Sequence, residues 1–459
     1  MRYEEAVRRL LALGRELAAP QQARVQKFGL ANITTLAEHL GGPQRAIPCV
    51  HIAGTNGKGS TAAMLESILR GSRYRVGLYT SPHLQRINER IRIDGADISD
   101  EKFASAWTRV QATIESLLAN GTLAAHPTYF ECITALAFVA FAEAGVNFAI
   151  YEVGLGGRLD ATNIVEPQVA VITSIDFDHE SFLGYSIAEI AAEKAGIIKP
   201  AAWVASSAER PEARAVIARR CQAQGARLVE VDDAWSIEML GSSAGRYRAV
   251  AHSVVSKSSL TLEPSLAGRF QIRNALAAST AARLLAERGF QVMDEVIEQG
   301  IRTARWPGRL ERLQEKPVVY LDGTHNPSGA NELLAFWKEN LPGRRILLVY
   351  GAMRDKAVDE IAGVLFPAAD LVIFTQPLQP RAISAPLLAE MTSHLAKTSM
   401  VIPDPAEALE RAIEMASSDD AIFATGSLYL VGDLGSYWSK RPVSASTSPI
   451  SAGKSHPKL

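Results

Sequence analysis

The chain has 459 residues, of which 47% are hydrophobic and 21% charged, with a formal net charge of −1. That length exceeds what a single hydrophobic core usually serves, so two globular units are expected. The balanced charge gives no electrostatic case for nucleic acid or for an anionic membrane.

The three cysteines, Cys49, Cys132 and Cys221, are widely spaced among apolar neighbours. This fits buried thiols in a reducing compartment and neither a disulfide framework nor a zinc site. No apolar run reaches membrane-spanning length, and the N-terminus has no uninterrupted signal core. A cytoplasmic protein without membrane or nucleic-acid partners is expected.

In chain order, residues 3–19 read as a surface helix, followed by the polar–glycine patch Lys27-Phe28-Gly29-Leu30. The apolar run Cys49 to Ala53 then enters Gly54-Thr55-Asn56-Gly57-Lys58-Gly59-Ser60-Thr61. After it, Ala62, Leu65, Ile68 and Leu69 share one side of a helical pattern. Strand, glycine turn and helix are the context of a phosphate loop. Glycines let backbone N–H groups converge on an anion, the helix start adds partial positive charge, and Lys58 adds a full one. A hydroxyl such as Ser60 can then hold magnesium. The spacing departs from the standard Walker loop, whose first glycine stands six residues before the lysine, where this chain has Ile52.

A second strand, 75–80, ends in Ser81-Pro82-His83-Leu84, and 89–98 suggests a small hairpin or loop. Helices are predicted over 101–119 and 129–144. The strand Phe148 to Tyr151 enters Glu152-Val153-Gly154-Leu155-Gly156-Gly157-Arg158-Leu159-Asp160, and another, 169–175, ends in Asp176-Phe177-Asp178-His179. A helix at 186–197 and a strand at 202–205 follow. The alternation predicts a mostly parallel sheet covered on both faces, with each polar cluster at the carboxyl edge where such sheets bind ligands.

Residues 226–263 alternate like a hairpin layer, and 270–288 is a helix. A linker over 299–309, containing Arg305-Trp306-Pro307-Gly308-Arg309, would close a first unit of 1–298. A second α/β unit, 310–440, has strands at 318–321, 345–350, 370–375 and 420–424 and a helix at 328–339. From 441 to 459 Pro, Ser, Ala and Lys dominate, which predicts a disordered tail.

Each cluster has a plain and a chemical reading. Glu152 is either a solvated strand-end carboxylate or a magnesium ligand facing the phosphate loop. His179 is either structural or the ligand of a second cation, although imidazole is an unusual partner for magnesium. Helical spacing puts Lys194 on an apolar stripe with Ile187, Ile190, Ala191 and Ile198. There it either snorkels or is buried with a lowered pKa, free to form a carbamate with carbon dioxide. Asp322 suits ribose hydroxyls and Arg309 suits phosphate or base; each serves equally as a salt-bridge partner.

Taken in order, these motifs closely resemble the folylpolyglutamate synthase/dihydrofolate synthase family, which is related to the Mur ligases. The resemblance runs from Lys27-Phe28-Gly29-Leu30 to Gly426-Ser427-Leu428-Tyr429-Leu430. It includes His51 to Ser60, Thr80 to Leu84, Thr128 to Glu131, Glu152 to Asn163, Glu193 to Lys199 and Asp322 to Pro327. It implies an α/β fold: a Mur-ligase-like P-loop ATPase domain with a mostly parallel sheet, then a smaller Rossmann-like domain. The implied activity is ATP-dependent addition of L-glutamate to dihydropteroate, to the glutamate chain of a folate, or to both.

Residue by residue, Gly54 to Thr61 would hold ATP phosphates around Lys58. Asn274, Arg309, Asp322 and His325 would complete the nucleotide site. Ser60, Ser81, Glu152 and His179 would bind two magnesium ions with Lys194 as its carbamate, and a monovalent cation is a further expectation. Substrate would lie near Lys27 to Leu30, Ser81-Pro82-His83, Tyr129-Phe130-Glu131 and Leu159-Asp160-Ala161. A monomer is expected.

Asp176 departs from the family pattern, which has glycine there, and adds a carboxylate beside the second cation site. Thr324 stands where alanine is usual, and Leu310 where phenylalanine is common. The rival readings are a Mur-like ligase for another carboxylate and amino-acid pair, and a nucleotide-binding ATPase without ligase activity.

Overall fold

The computed structural model describes residues 1–14 and 29–441. Residues 15–19 of the helix predicted over 3–19, Lys27, Phe28 and the tail beyond Arg441 lie outside the described residues. That first helix spans Tyr3–Ala12 and ends at a cap on Leu13, short of the predicted run to 19.

An eight-stranded sheet carries β1 (Cys49–Ala53), β2 (Val76–Tyr79), β3 (Ile91–Ile93), β4 (Ala96–Asp97), β5 (Phe148–Glu152), β6 (Val169–Ile172), β7 (Trp203–Ser206) and β8 (Arg227–Glu230). Their spatial order is β4-β3-β2-β5-β1-β6-β7-β8. From β2 to β8 the neighbours pair in parallel, and β3 and β4 add an antiparallel edge.

All five residues of β1 are buried, because helices cover both faces of the sheet. On one face, Cys49, Tyr79, Ala149 and Tyr151 meet the helices Asp100–Ala119 and Tyr129–Glu143. On the other, Val50, Ile52, Val76 and Ile150 meet Lys58–Gly71 and Phe270–Glu287. Strand alternation therefore feeds two cores from one run of apolar residues.

A separate antiparallel sheet, β9 (Trp235–Ser243), β10 (Arg246–Ser253) and β11 (Ser259–Leu262), occupies most of the predicted hairpin layer. Tyr247, Ala249, Ala251, Leu260 and Leu262 turn one face of it into the core beneath Phe270–Glu287. The third sheet contains β12 (Glu311–Glu315), β13 (Val318–Leu321), β14 (Ile346–Tyr350), β15 (Leu371–Phe374), β16 (Ser399–Val401) and β17 (Ala421–Thr425). It runs in the order β12-β13-β17-β14-β15-β16, with only β12 antiparallel.

The predicted linker 299–309 is shorter at its start. Residues 299–303 finish a helix, Asp294–Thr303, that the sequence reading did not identify. Its Ile297 and Ile301 share the core with Ile68 and Leu69 of the phosphate-loop helix. Gly300 permits this approach: a Cβ there would stand 2.6 Å from the Ile68 Cα. Gly300→Ala is therefore expected to lower unfolding stability by about 1–3 kcal/mol through overpacking. Gly363→Ala, in an exposed helical position with nothing within 4 Å, should be neutral or stabilising by up to about 1 kcal/mol. Equal chemical-denaturation midpoints for the two variants would contradict this packing.

Candidate active site

The central position of β1 sets the site. Glu152 closes β5 on one side of it, in register with Ile52, and the segment after β6 lies on the other. The polar clusters following three adjacent strands thus converge on one carboxyl edge. They line a cavity of about 1150 Å³ that also takes its wall from the C-terminal unit.

The phosphate loop is stitched to the strand beside it. Thr55 N–H donates to the Ser174 carbonyl at 2.7 Å, and Thr173 and Ser174 hydroxyls donate to the Asn56 carbonyl at 2.7 and 3.2 Å. Gly54 has φ +152°, and a Cβ on it would fall 1.8 Å from Thr173 Oγ1. No other residue fits there. Lys58 Nζ folds back to donate to the carbonyls of Gly54 and Thr55, both at 3.0 Å. Burial lowers its pKa, against the pull of Glu152 and Asp178. Lys194 Nζ, 4% exposed as a residue, donates to the same Gly54 carbonyl at 2.8 Å. Burial, with the Lys58 charge nearby, brings its pKa down to about 7.

Across from the loop, buried Glu152 accepts one hydrogen bond among the described residues, from Ser81 N–H at 3.3 Å. Burial raises its pKa, and Lys58 opposes the rise. Asp178 is the opposite case. Burial pushes it up, but Lys356 at 2.9 Å, with His179 and His325 each at 3.8 Å, holds it well below the usual carboxylate range. His179, at φ +51°, is brought down to about 4 by burial and by Lys356. Its neutral Nε2 accepts from Lys356 Nζ at 3.3 Å.

A divalent cation fits this donor set in part. Glu152 is a hard-oxygen ligand with unused lone pairs, beside the Ser81 N–H and drawn by the Lys58 charge, and His179 already aims a lone pair at a cation; the Ser60 hydroxyl accepts from Gln271 Nε2 at 3.4 Å. Among the described residues, no group of three or more His, Cys, Asp or Glu forms a ready cage. Phosphate and water oxygens would have to complete the shell, as is usual for magnesium.

The cavity gathers Gly54 to Ser60, Ser81, Pro82, Tyr129, Phe130, Glu131, Glu152, Leu159, Asp160, Ala161, His179, Lys194, Asn274, Arg309, Asp322 and His325. Gly29 also lines it; Leu30 does not. His83 does not line it either. Its Nδ1 accepts from Arg90 Nε at 2.8 Å, and burial with that cation brings its pKa down to about 3. Thr61 is buried beneath the loop.

Two predicted substrate carboxylates are occupied by structure. Glu131 caps its own helix through Thr128 N–H at 2.8 Å and Thr128 Oγ1 at 2.9 Å. Asp160 accepts from the backbone N–H groups of Gly154, Leu155 and Thr162 and from the Thr162 hydroxyl. It thereby shapes the glycine turn after Glu152. Asp322 accepts from Leu310 N–H and Thr324 N–H, and His325 Nδ1 pairs with the Gly323 carbonyl. The extra carboxylate, Asp176, is neutralised by Arg210 at 2.8 Å.

Lys356 and Asn326 also line the cavity and had no assigned role. The signal was present: Lys356 follows a buried strand, β14, in a polar turn, as the recognised clusters do.

A phosphate loop, an opposed buried carboxylate and a cleft shared with a second α/β unit define the class of an ATP-dependent Mur-type ligase. Residues 52–282 match the Mur ligase middle domain, and 308–428 match the Mur ligase glutamate ligase domain.

A dihydrofolate synthase/folylpolyglutamate synthase of Bacillus subtilis is 37% identical over 89% of this chain and 94% of its own length. The Escherichia coli protein of the same name is 36% identical over 88% and 90%. The Mycobacterium tuberculosis folylpolyglutamate synthase complexed with ADP and AMPPCP superposes with a TM-score of 0.84 at 30% identity, covering 95% of this chain and all of that one. The chain belongs to the folylpolyglutamate synthase/dihydrofolate synthase family of Mur ligases.

Lys194 makes the site visible to a pH titration. Its folded pKa of about 7 lies below the ordinary lysine value of 10.5. Between these pH values the unfolded chain binds a proton that the folded one does not, so stability gains a contribution as pH rises through that window. Chemical denaturation in carbon dioxide-free buffer should show this rise between pH 7 and 10, and Lys194→Met should lack it. Parallel pH profiles for the two proteins would refute the buried neutral amine.

Proposed function

We infer that this protein joins L-glutamate to dihydropteroate, to the glutamate chain of a folate, or to both, in an ATP-driven reaction through an acyl phosphate. The observation that carries the reading is the meeting of half-buried Lys58 and buried Lys194 on the Gly54 carbonyl opposite Glu152. Positive charge is concentrated where a triphosphate bound at this loop would end.

In the reaction, a substrate carboxylate oxygen attacks the γ-phosphorus, the bond to the β–γ bridging oxygen breaks, and ADP leaves. The glutamate amine then attacks the acyl carbon, phosphate departs, and the amine proton is released. Lys58 and the backbone N–H groups of Gly57, Gly59 and Ser60 neutralise charge on the moving phosphoryl group. Asn274, Arg309, Asp322 and His325 orient the nucleotide. Ser81-Pro82, Tyr129, Phe130, Leu159 and Ala161 form the wall for an aromatic pterin, and closing the cleft excludes water from the acyl phosphate.

Ser60, Ser81 and Glu152 would hold a magnesium ion and His179 a second one, and either ion would add charge neutralisation when bound. The Lys194 amine, half neutral at its lowered pKa, adds its lone pair to the carbon of carbon dioxide and loses one proton. The resulting carbamate turns a surplus cation beside Gly54 into an anion that can face the second ion.

ADP release from purified protein, measured with ATP, glutamate, bicarbonate and either dihydropteroate or tetrahydrofolate, tests the function. Release is expected with at least one of the two; none with either would refute the assignment. Lys194→Ala should lower turnover by about 100-fold or more with the fold retained, and small carboxylates should restore part of it. Wild-type rates in that variant would dispose of the carbamate. Glu152→Gln should raise the magnesium concentration needed for half-maximal rate, and an unshifted magnesium curve would remove Glu152 from the ligand set.

A further inference from the structure

Lys356 is a charged group of the cleft that the reaction above does not use. It stands in the turn after β14, its side chain only 10% exposed, and crosses the cleft to Asp178 Oδ1 at 2.9 Å and His179 Nε2 at 3.3 Å. An ammonium donates, so the His179 nitrogen must be presenting its lone pair, the same pair a metal ion would take. The ammonium therefore sits where a cation ligated by His179 would sit. Lys356 does not arrive alone: Asn326 Nδ2 reaches Asp178 Oδ2 at 3.3 Å and Asn56 Oδ1 at 2.9 Å, and His325 Nε2 lies 3.8 Å from Asp178. Three side chains of the C-terminal unit thus converge on one carboxylate of the ATPase unit.

We propose that Lys356 is a positioning residue that acts as a stand-in cation. In the ligand-free protein it keeps the seat between Asp178 and His179 neutralised and fastens the C-terminal unit to it. A divalent cation entering that seat expels the ammonium and takes over the neutralisation of Asp178. Two cations cannot share one imidazole lone pair, and their repulsion at such a separation opposes joint occupancy. Loading of the second ion and displacement of Lys356 are then one coupled equilibrium. This rests on the reading that His179 serves a second cation, and the test separates the two.

Manganese binding to the full-length protein with a non-hydrolysable ATP analogue is counted by electron paramagnetic resonance for wild type, Lys356→Met, Lys356→Arg and His179→Ala. Lys356→Met should bind the second ion about tenfold more tightly, with the first site unchanged, and Lys356→Arg should stay near wild type. If His179→Ala loses the second ion but Lys356→Met binds it no more tightly than wild type, the stand-in role is overturned. If His179→Ala binds both ions like wild type, the second-cation reading itself fails. Small-angle scattering without ligands supplies a readout independent of metal. Lys356→Met should have a larger radius of gyration than wild type, and an unchanged value would overturn the fastening.

Discussion

Two lysine nitrogens donating to one peptide oxygen form the constraint around which this molecule is arranged. Lys58 and Lys194 come from different helices, yet both end on the Gly54 carbonyl, at 3.0 and 2.8 Å. Burial opposes both charges, and their mutual repulsion adds to the cost. The nearest carboxylates do not cancel this. Glu152 carries a raised pKa, and Asp178 is engaged by Lys356. Such an arrangement is relieved by an incoming polyanion, and in its absence by loss of a proton from Lys194. On the proposed function, affinity for phosphate and carbamate formation at Lys194 would have the same electrostatic origin.

The sheet makes that arrangement possible. Because β1 lies between β5 and β6 and all three run parallel, three successive loops emerge side by side. A phosphate loop, a carboxylate and an imidazole drawn from residues 54–179 meet at one sheet edge. The Gly54 conformation and the hydroxyls of Thr173 and Ser174 fix the loop backbone before any ligand arrives. Preorganisation of this kind lets donors act without rearranging during the reaction.

Much of this was legible in the sequence. Buried parallel strands are continuous apolar runs, so β1, β2, β5, β6, β13, β14 and β17 stood out, and the polar residues after them marked the ligand edge. What escaped notice has physical reasons. Edge strands such as β12, with Glu311-Arg312-Leu313-Gln314-Glu315, bury little and carry no apolar run. The helix Asp294–Thr303 follows a glycine and lies beside an expected junction, which hid its amphipathic stripe of Ile297 and Ile301.

Residue type alone could not separate cavity-facing from structurally engaged groups. His83 turns to Arg90, Glu131 caps a helix and Asp160 ties a glycine turn, because a carboxylate or imidazole at a loop serves backbone N–H groups as readily as a ligand. Lys194 was the reverse case. Its place on an apolar stripe suggested burial, and the structure adds the carbonyl it faces and the neighbouring charge that lowers its pKa.

The helix Asp294–Thr303, lodged against the phosphate-loop helix, also sets a mechanical limit. Ser265 Oγ grips the Ala304 carbonyl, so only a few residues separate that anchorage from Arg309 and β12. A tether of about six residues spans at most ~20 Å even when fully stretched. The half of the cleft carried on β12 to β17 therefore never strays far from the nucleotide half. Any movement of that half is a swing about a fixed pivot on a short leash rather than a search through solution.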